Sequence, residues 1–384
     1  MKKILACIFA CILAVTLLSA CSAGTSSNVI KIGINYELSG GAATYGQSSV
    51  EGIEMAIEEI NKAGGINGKL IETVKYDNKS ESSEAATLAN KLVSQDKVLA
   101  ILGPATTGCF TSQIPVANKN KIPIATGSAT GDKLTLAPDG SVHEYVFRIC
   151  FNDSFQGRVM ANFAAENLGA KKAVIIMDSS SDYSKGLTSN FKETFTAAGG
   201  TIVAEEAFVA GDTDFNAIIT KIKGLDFDVI YLPGYYNEAG LIIKQARDQG
   251  IDKPVLGGDG FDSPVLLELA GAEALNNVYF TNHYSELGDD PVVQKFISDF
   301  EAKYGRKPNA FHALGYDLAK FVADAIGRAE KLTGEAIKDA LAATKNFSGV
   351  TGTLSVDEYH NPIKSIFVIE LKDGQQYSSV KVNP

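Results

Sequence analysis

From Val29 onward the chain repeats one unit, a short apolar run of strand length followed by a stretch whose apolar residues recur every three or four positions. Val29-Ile30-Lys31-Ile32-Gly33-Ile34 reads as a strand, and Val50, Ile53, Ile57 and Ile60 then trace one face of a helix that Gly64-Gly65 closes. Lys69 to Tyr76 is a second strand. A helix over about 82–94 leads to a strand from Val98 to Leu102, and a helix over about 111–118 leads to a strand from Ile122 to Ala125. Neighbouring strands that run the same way need a connection of a dozen or more residues, which a helix supplies. Regular alternation therefore commits the chain to parallel sheets covered by helices on both faces, the α/β class.

A second series begins near Cys150. Strands at Ala173 to Met177, Thr201 to Phe208, Val229 to Leu232 and Val255-Leu256 alternate with helices at about 155–168, 184–198, 214–223 and 238–249. After a strand at Val278 to Thr281 the pattern changes to three helices, at about 291–304, 309–329 and 334–344. Ile363 to Leu371 and Tyr377 to Val382, around Lys372-Asp373-Gly374, then read as a β-hairpin. A chain of 384 residues is long enough for two lobes, each with its own core. No linker rich in Gly, Pro or Ser separates the series after residue 28, so the expectation is two doubly wound lobes whose chain crosses between them at strand ends.

The first residues are a separate object. Lys2-Lys3, an apolar run from 4 to 18 and then Leu18-Ser19-Ala20-Cys21 resemble the signal and lipobox of a bacterial lipoprotein. In that reading residues 1–20 are removed, Cys21 carries the lipid, and residues 21–28 are an anchor and tether. The apolar run is short for a bilayer span and no charged stop follows it. Of 35 basic residues two leave with the signal, and the rest face 45 acidic ones, a formal charge of −12. That balance argues against nucleic acid, whose phosphates are bound by clustered Lys and Arg. Beyond the anchor only Cys109 and Cys150 remain. A disulfide between them stays open beside their reading as small buried hydrophobes.

Several motifs fail on inspection. Asp212, Asp214 and Asn216 start like a calcium loop, but Ala217 stands where a glycine is needed and Lys223 where a glutamate is, so a helix cap is the better reading. Gly258-Asp259-Gly260 lacks the third glycine of a dinucleotide fingerprint, and no phosphate loop occurs. His143, His283, His312 and His360 are dispersed, with no metal-ligand spacing. Neither a cofactor nor a metal is expected. The stretch ATGSATG, residues 125–131, gathers hydroxyls at a strand end, before Asp132 to Thr135 where a helix could open, yet no histidine sits beside Ser128 to activate it. Binding rather than catalysis is expected.

Seven short stretches, in order, carry a resemblance. They are Ala43-Thr44-Tyr45-Gly46, Gly64-Gly65-Ile66-Asn67-Gly68, Gly103-Pro104-Ala105-Thr106-Thr107, residues 125–131, Asp182-Tyr183-Ser184-Lys185-Gly186, Gly234-Tyr235 and Gly257-Gly258-Asp259-Gly260. Over most of residues 29 to 384 the chain resembles the type I periplasmic solute-binding proteins, in particular the leucine/isoleucine/valine-binding proteins of ABC transporters. The resemblance implies two α/β lobes joined by three crossovers, lobe one at 29–148 with 279–353 and lobe two at 149–278 with 354–384, with the ligand in the cleft between them.

An amino acid is a zwitterion, so such a cleft must offer donors to a carboxylate and acceptors to an ammonium. Thr107 and Thr130, at strand ends entering helices, are expected to donate to the carboxylate. The resemblance gives the backbone carbonyl of Ser128 and the hydroxyl of Thr130 to the ammonium, with Asp259, in place of the family's glutamate, as its partner from the other lobe. Tyr45, Tyr183 and Tyr235 are expected to line the cleft, Tyr235 in preference to Tyr236 on register. Phe311 is a further pocket residue. Tyr36 and Glu37 depart from the small residues expected in the first loop, which bears on the shape and polarity of the pocket. The implied function is capture of branched-chain amino acids by a monomer through hinge closure, and delivery to permease subunits at the membrane where the Cys21 lipid holds it. Two rivals stand beside it: a binder of amides, urea or other small polar solutes, against which Asp259 speaks, and a ligand-sensing module for a membrane receptor.

Overall fold

The computed structural model describes residues 29–384; the signal, Cys21 and the tether expected at 1–28 lie outside the described residues. β1 (Val29–Tyr36) leads through α1 (Ala43–Lys62) to β2 (Leu70–Asp77), then α2 (Ser82–Lys91), β3 (Ala100–Leu102), α3 (Thr107–Asn120), β4 (Ile124–Thr126) and β5 (Val146–Arg148). These strands form one parallel sheet in the order β2-β1-β3-β4-β5. Ile32, Ile34, Ile101 and Ile124 are buried because helices cover both of its faces.

The second series is α4 (Asp153–Asn162), β6 (Lys172–Asp178), α5 (Asp182–Ala197), β7 (Thr201–Phe208), α6 (Asn216–Lys223), β8 (Val229–Tyr231), α7 (Tyr236–Asp248), β9 (Val255–Gly257), α8 (Pro264–Ala270) and β10 (Val278–Asn282). Then come α9 (Pro291–Tyr304), α10 (Ala310–Arg328) and α11 (Gly334–Ala342). A small antiparallel sheet, β11 (Phe347–Gly349), β12 (Gly352–Val356) and β13 (Pro362–Ile363), precedes the hairpin β14 (Ile366–Lys372) and β15 (Gln375–Val382). The second large sheet runs β15-β14-β10-β9-β8-β6-β7, parallel except for the hairpin at its edge.

The helical run after β10 returns to the first sheet. A Cβ on Gly52 would meet the carbonyl oxygen of His312 at 2.0 Å, and one on Gly315 would meet that of Ser49 at 2.0 Å, so two glycines let α1 and α10 lie backbone to backbone. Two boundaries differ from expectation: β12 and β13 stay with β11 in the small sheet, so the last crossing falls at 364–365 and not after 353, and the earlier one also shifts. β10 pairs with β9 on one side and β14 on the other, so residues 279–282 belong to the second sheet and the chain crosses back only after Asn282. The apolar pattern of a strand marks it as buried but does not say which sheet takes it. The three connecting segments are 149–152, 283–290 and 364–365. Residues 132–135 form a turn and open no helix. Cys109 and Cys150 are free and buried.

Candidate functional site

Both large sheets place strands in the same order, reversing beside β1 in one and beside β6 in the other. Loops at the carboxyl ends of parallel strands open at such reversals. Here the two sets of loops face each other across a small cavity lined by all eight ligand residues expected from the sequence: Tyr45, Thr107, Ser128, Thr130, Tyr183, Tyr235, Asp259 and Phe311.

One wall of the cavity comes from loops of the first sheet. Thr107 is the first residue of α3, where backbone N–H groups lack partners within the helix. Its Oγ1 accepts from the Gly131 N–H at 3.1 Å, tying the loop after β4 to that helix start. Thr126, not singled out from the sequence, organises the loop: its hydroxyl donates to the Pro104 carbonyl at 2.7 Å and accepts from the N–H groups of Ser128 and Ala129. Ser128 donates its own hydroxyl to the Ala105 carbonyl at 3.0 Å. Behind the loop lies Arg148, 0 % exposed, donating to the carbonyls of Thr130 at 3.1 Å and Gly131 at 2.7 Å and to Asn361 Oδ1 at 2.7 Å. Burial lowers its pKa, but a guanidinium stays charged. Thr130 departs from expectation, because the turn at 132–135 leaves it at no helix start. Arg148 holds its carbonyl instead, and the Thr130 side chain bonds the Asp153 carboxyl.

Glu37 explains part of the first loop. Its buried carboxylate accepts from Ala105 N at 2.9 Å, Thr106 N at 3.0 Å and Thr106 Oγ1 at 2.7 Å, so it occupies the approach to the α3 N-terminus. Burial pushes its pKa up, opposed by those hydrogen bonds. Tyr36 turns into the core against Gly103, where a Cβ would meet its ring at 2.4 Å, and it does not line the cavity.

From the second sheet the cavity receives Asp259, 3 % exposed. Its Oδ1 accepts from the Tyr183 hydroxyl at 2.8 Å, and its Oδ2 lies 3.0 Å from His283 Nε2. Its N–H donates to Gln156 Oε1 at 3.2 Å, which also accepts the Thr281 hydroxyl at 2.6 Å. His283 and Gln156 carried no sequence motif; their roles depend on which strand ends meet. Burial pushes the His283 pKa down to about 4, against the hydrogen bond to Asp259 that raises it, so the ring is neutral near pH 7.

Aromatic rings close the walls. Tyr45 stacks on Phe311 with centroids 4.3 Å apart and meets Tyr235 edge-on at 5.4 Å, while Tyr183 stacks on Tyr235 at 5.1 Å. Tyr235 lines the cavity; Tyr236 turns to the first lobe, where its hydroxyl accepts from Thr44 N at 3.3 Å. Tyr45 donates to the Gly260 carbonyl at 2.5 Å, and the hydroxyls of Thr44 and Ser263 sit 3.1 Å apart, so the two lobes touch across the cleft mouth. Among the described residues no cluster of His, Cys, Asp and Glu is arranged to hold a metal ion.

Comparison with known proteins agrees with this architecture. Residues 29–376 match the family model for periplasmic binding protein. The solved structure of LivJ, a branched-chain amino acid transporter substrate-binding protein from Streptococcus pneumoniae in complex with isoleucine, is 45% identical with TM-score 0.88, covering 93% of this chain and 100% of that one. A leucine-binding protein, LivK, from Thermotoga maritima is 37% identical with TM-score 0.87, covering 92% of this chain and 99% of that one. A Leu/Ile/Val-binding protein homolog from Brucella melitensis is 32% identical over 86% of this chain and 87% of its own length. With two doubly wound lobes, a cleft of hydroxyls and acids between them and relatives of this kind, the chain belongs to the periplasmic binding protein family, as a type I binding protein and not an enzyme.

Proposed function

We propose that the chain captures a branched-chain amino acid between its lobes and hands it to the permease of an ABC importer. The observation that carries this reading is the polarity of one small cavity. Thr107, Ser128 and Thr130 bring hydroxyls and a backbone carbonyl to it from the first lobe, and Asp259 brings a carboxylate from the second. A zwitterion finds donors for its carboxylate and acceptors for its ammonium among these groups. A neutral amide or urea would leave a buried carboxylate with no cation to pair with, which is costly. Tyr45, Tyr235 and Phe311 supply an apolar wall for an aliphatic side chain, and the relative solved with isoleucine is 45% identical.

In this reading Thr107 and Thr130 donate to the ligand carboxylate, the Ser128 carbonyl, the Thr130 hydroxyl and Asp259 accept from its ammonium, and the tyrosines with Phe311 cover the rest. Lobe one is residues 29–148 with about 283–363, and lobe two is 149–282 with 364–384. The lobes close on the ligand because only the closed form makes all the contacts. The family's name fits export. Residues 1–20 as signal and a lipid on Cys21 would hold the protein at the membrane, where no helix among the described residues is long and apolar enough to cross.

The test is a thermal-shift screen of the twenty amino acids, urea and short amides, followed by calorimetry, since the chain has no tryptophan to report binding. Leucine, isoleucine or valine should give the largest shifts. Removing one partner of a buried charge pair costs roughly 2 to 5 kcal/mol, so Asp259→Ala should weaken binding by about 30-fold to several thousandfold. Unchanged affinity in that variant would overturn the assignment.

A further inference from the structure

Asp259 is held by a device that its neighbours in sequence do not reveal. Both of its oxygens take a hydrogen bond from a neutral ring, Oδ1 from the Tyr183 phenol at 2.8 Å and Oδ2 from the His283 imidazole at 3.0 Å. The ring of His283 is 1 % exposed and lies flat on Phe151, with centroids 3.8 Å apart and planes 7° apart. Phe151 belongs to the connecting segment 149–152 and His283 opens the segment 283–290. The imidazole is thus clamped between two of the three strands of chain that join the lobes, with one edge on the carboxylate.

The other edge is the informative one. Nδ1 of His283 is buried with no hydrogen-bond partner. Leaving a buried polar atom unsatisfied is costly, and a phenylalanine or leucine would fill the same space against Phe151 without that cost. Packing therefore does not explain a histidine here, whereas an N–H aimed at Asp259 does. An N–H on Nε2 leaves Nδ1 as the bare nitrogen, the one that needs no acceptor.

We propose that His283 is a positioning residue for ligand capture: its Nε2–H fixes the Asp259 carboxylate where an α-ammonium must meet it, without cancelling the charge the ammonium needs. The inference rests on the amino acid reading of the cleft. A lysine or arginine at this place would pair with Asp259 and compete with the ligand; two neutral donors orient the carboxylate and leave its charge available. Aspartate is one methylene shorter than glutamate, so its carboxylate cannot follow the ligand far from its own backbone. A fixed position then matters more. Gln156 fixes that backbone as well, accepting the Asp259 N–H and the Thr281 hydroxyl on one oxygen. Because the clamp belongs to two connecting segments, a shift of either on opening would move the acceptor out of place.

The experiment is calorimetry with leucine on the full chain and on His283→Phe, which keeps the stacked ring, His283→Leu, which keeps only the bulk, and His283→Gln, which keeps an N–H donor. Each is made alone and with Asp259→Asn, and the melting temperature of every ligand-free variant is recorded. A hydrogen bond to a charged group is worth a factor of roughly 10 to 100, so the Phe and Leu variants should bind that much more weakly and Gln should restore affinity to within a few-fold. With Asp259→Asn in place, the His283 changes should cost less than about threefold, since the charge they serve is gone. Wild-type affinity in a folded Phe or Leu variant, or the same loss with and without Asp259→Asn, would overturn the proposal. Failure of the underlying reading shows separately: the unaltered chain would bind no amino acid, or Asp259→Asn alone would bind leucine as tightly as the wild type.

Discussion

Three buried acids stand close to the cleft, and they differ in how far they are satisfied. Glu37 takes two backbone N–H groups and a hydroxyl, Asp259 takes two ring donors, and Asp153 keeps an oxygen with no partner. Burial holds Asp153 well above the usual carboxylate range, with Asp132 and Asp259 adding to the effect and Thr130 opposing it. His283 runs the other way and gives a clean pH prediction. Burial lowers it from 6.5 to about 4 in the folded state. Between those values the unfolded chain binds a proton that the folded one refuses, so stability falls as pH drops through that window. At about 1.4 kcal/mol per pH unit, the wild type should lose up to about 3 kcal/mol relative to His283→Gln between pH 7 and pH 4. Urea unfolding of both proteins across that range checks it, and a difference that stays flat would show that the ring titrates normally. The residue types of the cleft were legible in the sequence: Thr107, Ser128, Thr130, the three tyrosines, Asp259 and Phe311 all line it. Their supports were not. Arg148, His283 and Gln156 act through partners on other strand ends, and a linear string shows a side chain's chemistry but not who stands opposite.

At the scale of elements, each lobe caps a helix of the other. Asp132, after β4, accepts from the Ser154 N–H in the first turn of α4 at 2.8 Å and from Asn190 of α5 at 3.2 Å. Asp262, after β9, accepts from the Ala310 N–H at the start of α10 at 2.8 Å and from Asn282 at 3.0 Å. Helix starts favour negative charge, and losing a cap costs about 0.5 to 2 kcal/mol. The bond from Asp262 to α10 joins the lobes, so it contributes to the closed form and not to either lobe alone. Asp262→Ala should therefore weaken leucine about 2- to 30-fold while leaving ligand-free stability nearly unchanged. Calorimetry beside thermal melts separates the two, and a large drop in ligand-free melting with intact affinity would make Asp262 a structural cap only. Most helices and strands were readable from apolar periodicity because each buries one regular face. The exceptions have physical causes. β5 is three residues ending in buried Arg148, which breaks the apolar signal. α8 is only seven residues long, although its Ser263 cap and Pro264 start were visible signs. The β11 to β13 strands are short and half exposed.

At the scale of the molecule, the alternating pattern predicted two doubly wound lobes, and the sheets bear it out, while the exact crossing point after β10 depended on pairing that no local pattern encodes. With three short connecting segments, bending can be confined to a few residues while each lobe moves as a body. The cavity is lined by loops of both lobes, and in the proposed mechanism a ligand enters when they part. The hydroxyls of Thr44 and Ser263, 3.1 Å apart across the mouth, offer a way to stop that parting. Cysteines at both positions would stand within disulfide reach, where Cβ atoms are about 3.8 Å apart. Cys109 and Cys150 would not compete, since burial pushes both thiols up to about 12 and keeps them as unreactive thiols. In Thr44→Cys/Ser263→Cys made without residues 1–21, oxidation in the presence of radiolabelled leucine should trap the label through gel filtration. Oxidation without leucine should slow its uptake more than tenfold, and reductant should restore both exchange and affinity. Closure controls access only if both arms behave this way; leucine exchange at the wild-type rate in the oxidised protein would mean that the ligand reaches Asp259 by a route that does not require the lobes to separate.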